Sequence, residues 1–461
     1  MLHLPSLALV ALAPLAPLAP QANDLGGPID AAQRAAIVET LASEVEARYC
    51  QPEVALQIAA HLRAELKAGT FDDCANRLSL APKLTTALRA VNDDRHFVVY
   101  GVPEGRVEEE QNDPLRTTVR RGDEARAANH GFARVEVLDG NIGLLELNQF
   151  ADFGPARETA ASAMRFLAGV DALIVDLRAN GGGSPEMVQF LCSYFFGERT
   201  HLNSLVIRRP EGDVTREYWT LDELPGPRLV DVPLYVLTSG RTGSAAEEFC
   251  YNLQTRDRAI LVGRTTGGAA NPGGTVPLDE RLVAFISDGQ ARNPITGTNW
   301  EGVGVVPEVE AQVPDALDRA LVLARAAADD FRRFREEERL ALLETLSEAN
   351  AAARDHAGAG QDDEAFKALR WVLADAVASG LLDELKLARI AQGWSEREEP
   401  ALALAWARAN AAIFADSAQA AELEAELWGG RGDPERAREA WKRVQALDPE
   451  SASAREALAG R

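Results

Sequence analysis

Lysine is missing from the middle of this 461-residue chain: none lies between Lys83 and Lys367. A nucleotide-binding loop built on a phosphate-gripping lysine is therefore excluded there, and dinucleotide glycine spacing is absent too. Cysteine is scarce. Cys50, Cys74, Cys192 and Cys250 show no CxxC spacing, which excludes a cysteine-built zinc site. In an exported chain Cys50 could pair with Cys74 and Cys192 with Cys250; buried free thiols are the equal alternative. No apolar run beyond the amino terminus is long enough to span a bilayer. Positive charge is also in deficit. The net charge of −23 argues against nucleic acid and anionic membrane surfaces as partners.

What is present reads as a soluble globular chain of two or three domains. Residues 1–22 are apolar, lack acidic groups and read as a secretory signal, so the protein is expected in the periplasm or outside the cell. Ile29 to Val91 carries helical periodicity and reads as a small all-helical domain. A polar turn, Asn92-Asp-Asp-Arg-His96, then sets one histidine at the lip of a strand. Asp93 and Asp94 read as turn formers. Residues 103–135, charged and without periodicity, read as an irregular surface excursion. Strands and helices then alternate, as in an α/β domain. After Arg335 the chain is rich in Ala, Glu and Arg. Ala403, Ala407 and Ala415 fall one tetratricopeptide-repeat length before Ala437, Trp441 and Pro449; a plain helical tail is the alternative. The expected division is a signal at 1–22, a helical domain at 23–100, a catalytic domain at 101–330 and a helical tail at 331–461.

Two junctions carry the chemistry. The strand Ala172-Leu-Ile-Val-Asp-Leu ends in Arg178-Ala-Asn-Gly-Gly-Gly-Ser184, where glycines let the backbone approach a ligand and point N–H groups at it. The strand Leu234–Leu237 runs through Ser239-Gly240 to Ser244 and a helix from Ala245. A serine on a strand-to-helix turn is either an N-cap or a nucleophile beside free N–H groups. A third segment, Asn299-Trp-Glu301-Gly-Val-Gly, places one acid in a Gly-rich apolar loop.

Four motifs in this order, Asp-Asp-Arg-His96, Asp176-Leu-Arg-x-Asn-x-Gly-Gly183, Thr-Gly-Ser244-Ala-Ala-Glu and Trp-Glu301-Gly-Val-Gly-Val-x-Pro307, resemble the carboxy-terminal-processing (tail-specific) serine peptidase superfamily. The resemblance runs from about Ala36 to Ala326, nearest the branch of the tricorn core and the photoreceptor retinoid-binding protein. It implies a crotonase-like α/β catalytic domain behind an all-helical cap, followed here by the helical, tetratricopeptide-like tail. It implies Ser244 as nucleophile, His96 as general base and Glu301 as the acid orienting it. Gly182 or Gly183, with the Ala245 N–H, would form the oxyanion hole, and no metal or cofactor is needed. A sister branch uses a serine–lysine dyad, which the missing lysines exclude. Two positions depart from the pattern: Arg95 stands where the tricorn type has serine, and Glu308 where members commonly have aspartate.

The chemistry of the residue types agrees, because a serine hydroxyl needs a base near neutral pH and imidazole is the side chain suited to that. The expected reaction is peptide-bond hydrolysis through an acyl-enzyme, with activity rising as His96 deprotonates near pH 6.5. The expected partner is a polypeptide substrate, with a protein partner open for the helical tail. Two other functions remain open: a non-catalytic carrier of apolar ligands, and a scaffold acting through its repeats.

Overall fold

The structure, a computed structural model, describes Leu25 and residues 27–460. The signal expected over 1–22 lies outside the described residues. The chain divides into two compact units, one ending at Phe331 and the other beginning at Arg332.

The first unit opens with α1 (Ala31–Arg48), α2 (Pro52–Lys67) and α3 (Arg77–Val91). Asp30 with Gln33, and Asn76 with Ser79, close capping boxes at the first and third, satisfying N–H groups that have no intrahelical acceptor. Their apolar faces (Leu41, Val45, Ile58, Leu62, Leu84, Leu88) make one core with strand residues Val99, Leu282, Ala284 and Ile286. Those strands are β1 (Val98–Gly101) and, much later in the chain, β10 (Leu282–Ser287). They pair antiparallel with Val98 opposite Phe285. The histidine turn is thereby fixed between a helical layer and a strand that is remote from it in sequence.

The stretch expected to be irregular is mostly helical: α4 (Arg106–Asn112) and α5 (Pro114–Ala127) precede β2 (Phe132–Leu138). Among their residues only Val107 and Thr117 are buried, so no apolar period marks them. Asp113 caps Arg116 N–H, Pro114 takes the first helical position, and Arg120 bridges Glu124 and Glu109. Caps and ion pairs define these helices where burial does not.

The remaining elements of this unit are β3 (Ile142–Leu147), α6 (Phe153–Phe166), β4 (Ala172–Asp176), α7 (Pro185–Ser193), β5 (His201–Ile207), β6 (Val214–Trp219), β7 (Leu234–Thr238), α8 (Ala245–Gln254), β8 (Ile260–Gly263), β9 (Gly273–Pro277), β11 (Gly289–Arg292) and β12 (Val309–Glu310). A six-stranded sheet runs β12-β8-β7-β4-β3-β2, parallel except for the β2–β3 pair. All residues of β4 and β7 are buried, as expected of parallel strands covered on both faces. Helices α6, α7 and α8 cover one face. Ala320, Ala324 and Ala328 of α9 (Ala316–Gly358) cover the other. Two smaller sheets, β1-β10-β9 and β11-β5-β6, complete the unit. The carboxyl ends of the neighbouring strands β4 and β7 carry the glycine loop and the Ser244 turn, the place where open parallel sheets gather ligand-binding loops.

The second unit is helical: the end of α9, then α10 (Asp362–Ala378), α11 (Glu384–Glu396), α12 (Pro400–Ile413), α13 (Ala418–Gly430), α14 (Pro434–Leu447) and α15 (Ala452–Leu458). Ala403 and Ala407 sit buried on α12, and Ala437, the counterpart of Ala403 in the offset pattern, sits buried on α14. All four cysteines are free thiols.

Candidate active site

Ser244 is the residue before α8 and holds φ 53°, ψ −123°, outside the regions a non-glycine residue ordinarily occupies. Such a conformation costs about 1–3 kcal/mol and survives where the surroundings over-determine it. They do so here. Thr242 Oγ1 donates to Leu177 O and accepts from Ser239 N–H, while Gly243 N–H donates to Asn180 O. Gly182 packs so closely that a Cβ there would lie 2.7 Å from Ser244 Cβ. The end of β4 and the end of β7 thus grip the serine turn from both sides.

Glu247, one turn into α8, is the second fastener. Its carboxylate accepts from Ser244 N–H at 2.9 Å, Ala269 N–H at 2.9 Å, Gly268 N–H at 2.6 Å and the Thr266 hydroxyl. Burial pushes its pKa up to about 7 against the pull of those four bonds. The motif contains this residue, but its role does not follow from the sequence, because its partners lie on a separate loop beyond β8.

The glycine loop presents N–H groups to the same place. Phe150 N–H donates to Gly182 O and Ser184 N–H to Phe150 O, a parallel bridge that leaves the Gly183 N–H facing away from Phe150. Gly183 has φ +140°, and a Cβ there would lie 1.9 Å from Phe150 O, so no other residue fits. Gly182 N–H is taken by Asn180 Oδ1 at 2.9 Å. Of the candidate oxyanion donors, Gly183 and Ala245 are therefore the pair whose N–H groups are without an acceptor among the described residues. Ser244, Gly183 and Ala245 line one cleft, whose other walls include Ala270, Phe285 and Trp300.

His96 and Glu301 come together next to two walls of that cleft, His96 against Phe285 and Glu301 against Ala270. One donor atom from each of Asp94, His96 and Glu301 lies within 4.8 Å of the others. Glu301 accepts from Arg95 N–H at 2.9 Å, Ala270 N–H at 2.7 Å and Asn271 N–H at 3.0 Å. Arg95, the departure from the pattern, turns its side chain out to Asp93 and contributes its backbone to the acid. Asp94 forms the expected turn, its Oδ1 accepting His96 N–H, yet it is also buried, with Oδ2 accepting from Tyr49 and Asn271. It is a second carboxyl beside the imidazole, which the turn reading alone did not disclose.

His96 is buried, its ring stacked on Phe285 at 5.2 Å, and neither ring nitrogen has a hydrogen-bond partner among the described residues. Ser244 and His96 are thus not hydrogen-bonded, and Phe285 both lines the serine cleft and covers the imidazole. Burial lowers the His96 pKa to about 4, with Asp94 opposing the shift. Burial, and next the charge of Asp94, push Glu301 up to about 7. Around neutral pH the ring is a free base. Among the described residues this trio is also the one cluster of donors gathered closely enough to consider for a cation. Glu308, the other departure, accepts from Leu261 N–H and Gln254 Nε2 and ties β8 to the segment before β12.

Two family sequence models match the chain. That of peptidase family S41 matches residues 141–311, and that of the N-terminal domain of the S41 peptidase in eukaryotic IRBP matches residues 31–129. Together they take in more than half of the chain. Solved structures similar to it include a protein described as an S41 protease from Bacteroides fragilis, 23% identical, with TM-score 0.37. That match covers 44% of this chain and 58% of the other. The photosystem II D1 C-terminal processing protease is 15% identical over 64% of this chain and 98% of its own, with TM-score 0.39. The tricorn protease is 14% identical over 65% of this chain and 37% of its own, also with TM-score 0.39.

Proposed function

This chain belongs to peptidase family S41, a family of serine peptidases, and on that premise we propose that it hydrolyses polypeptides through a Ser244–His96–Glu301 mechanism. The observation that carries the reading is Ser244 itself: a strained serine at a helix start, half-buried, in a cleft with the two unengaged N–H groups of Gly183 and Ala245. Substrate would lie in that cleft with its scissile carbonyl oxygen toward those donors. Each well-placed donor of this kind contributes roughly 3 kcal/mol to the transition state.

In the reaction Ser244 Oγ attacks the carbonyl carbon and its proton passes to His96. Glu301, ionised, stabilises the imidazolium, which then protonates the leaving amine. Water repeats the sequence on the acyl-enzyme, with His96 again the base. This requires the imidazole to reach Ser244, so the Phe285 ring that covers it must yield when substrate enters. Catalytic hydrogen bonds that tighten on substrate binding are common. Exported or unfolded proteins fit as substrates, the crotonase-like reading of the fold goes with the family, and the repeat-like helices of the second unit would serve a protein partner. The test is hydrolysis of an unfolded, fluorescently labelled protein. Wild type should cleave it and Ser244→Ala should lose the activity by roughly 10⁶-fold; equal rates in the two would exclude Ser244.

A further inference from the structure

We propose that the cleft beside Ser244 holds a subsite for a cationic side chain, a lysine or arginine on the residue whose carbonyl is attacked, and that Glu248 is its partner. The inference rests on the peptidase reading and adds the substrate class. Glu248 follows Ser244 by four positions on α8, so it lies one turn along the same helix face. It lines the cleft together with Ser244, Gly183 and Ala245 and is otherwise buried, at 5% exposure. Unlike Glu247, its carboxyl receives no backbone N–H bond among the described residues.

Among the described residues no cation acts on Glu248. The charge that acts on it is that of another acid, Glu186, whose own contact with Arg216 is long at 3.4 Å and exposed. The buried amides of Asn203 and Asn252 hydrogen-bond the Glu248 carboxyl and pull its pKa down against burial, but loosely, since neither amide makes a bond of good geometry among the described residues. A buried acid held only by two loosely placed neutral amides is costly to ionise unless something of opposite charge completes it. A guanidinium or ammonium does so, with its charge on Glu248 and any remaining N–H donors on the amide oxygens. Leu205, Pro185 and Trp300 wall the same cleft and offer the apolar stem of such a side chain a lining, although the cleft, with a volume of about 40 Å³, must widen as the side chain enters.

Burial pushes the Glu248 pKa up to about 8, so near neutral pH the group holds a proton. Entry of a cation stabilises the carboxylate, and that proton leaves to solvent. Binding is therefore coupled to release of one proton, a signature that mere packing of a long side chain would not produce.

The experiment uses full-length protein in two arms. In the first, fluorogenic peptides differing only at the attacked residue (Arg, Lys, Gln or Leu) are ranked by kcat/KM. Arg and Lys should exceed Leu and Gln by roughly 100-fold, and Glu248→Gln should bring that ratio to about one. In the second, butylguanidinium is titrated into Ser244→Ala by calorimetry in buffers of different ionisation heat. Binding should release close to one proton near pH 7, and the release should vanish when Glu248→Gln is added. Preference for Leu or Gln, a ratio unchanged in Glu248→Gln, or binding without proton release would each overturn the subsite. Should Glu248→Gln fail to fold, the wild-type ranking and the proton count still decide. Hydrolysis without basic preference sinks the subsite and leaves the peptidase standing. Cation binding with proton release but no hydrolysis does the reverse, and loss of both sinks both.

Discussion

Glu301 shows how burial changes what a residue is expected to do. From sequence the acid limb of activity belongs to His96 near pH 6.5. In the structure His96 sits at about 4 and is already neutral, whereas Glu301 is raised to about 7 by burial and Asp94. In the proposed mechanism the ionised Glu301 stabilises the imidazolium, so kcat/KM should climb as pH rises through about 7 and then level. Glu301→Gln should remove that inflection and cost roughly 10⁴-fold in rate. A pH–rate profile of the two proteins checks both, and an unchanged inflection in the variant would assign the limb elsewhere. Ser244, His96 and Glu301 stand out in the sequence only through four motifs in register, since locally the serine also reads as an N-cap. Asn180 and Glu247 stand inside the motifs without an assigned role, and Asp94 reads only as a turn former. Their work is done by side-chain bonds to distant backbone or by burial, and neither leaves a local pattern.

At the scale of elements, Glu247 joins the start of α8 to the loop at 266–270. Glu247→Ala would leave the N–H groups of Ser244, Gly268 and Ala269 and the Thr266 hydroxyl without their acceptor. Each such buried orphan costs about 1–3 kcal/mol before relaxation, so the variant should lose about 3–5 kcal/mol of stability. Glu247→Gln, which keeps one acceptor oxygen, should lose less. Urea unfolding of the three proteins decides; an alanine variant within about 1 kcal/mol of wild type would mean the loop is held by other contacts. The same logic explains which elements the sequence disclosed. Strands β4 and β7 read plainly, since parallel strands buried on both faces are continuous apolar runs. Helices α4 and α5 did not, because they bury almost nothing and owe their definition to Asp113, Pro114 and arginine–glutamate pairs. The pairing of β1 with β10, which sets His96 near the serine cleft, joins Val98 to Phe285 and Gly101 to Leu282. Partners so remote along the chain leave no mark on local periodicity.

At the scale of the molecule, stability should fall as the medium becomes alkaline. Glu247, Glu248 and Glu301 have folded pKa values of about 7, 8 and 7, above the roughly 4.3 of an unfolded glutamate. Over that interval the folded chain binds more protons than the unfolded one. Their stabilisation is full below about pH 4.3 and is lost as pH rises through 7 to 8. His96 works oppositely: its folded value is below its unfolded one, so it opposes folding as pH falls from about 6.5 toward 4. The net charge of −23, growing more negative with pH, acts in the same direction as the three glutamates. Between about pH 4.3 and 6.5 the three glutamates outweigh His96, so calorimetric Tm should be highest at about pH 4–5 and fall from there to pH 8.5. A Tm that rises steadily from pH 5 to 8.5 would show that these carboxyls are paired or solvated. The mechanistic claim can be put to a more direct trial. Full-length protein is treated with a fluorophosphonate and the adduct located by mass spectrometry, in wild type, Ser244→Ala and His96→Ala. The account predicts a single adduct on Ser244, none in Ser244→Ala and much slower labelling in His96→Ala. Absence of any adduct, or an adduct on another serine, would contradict it.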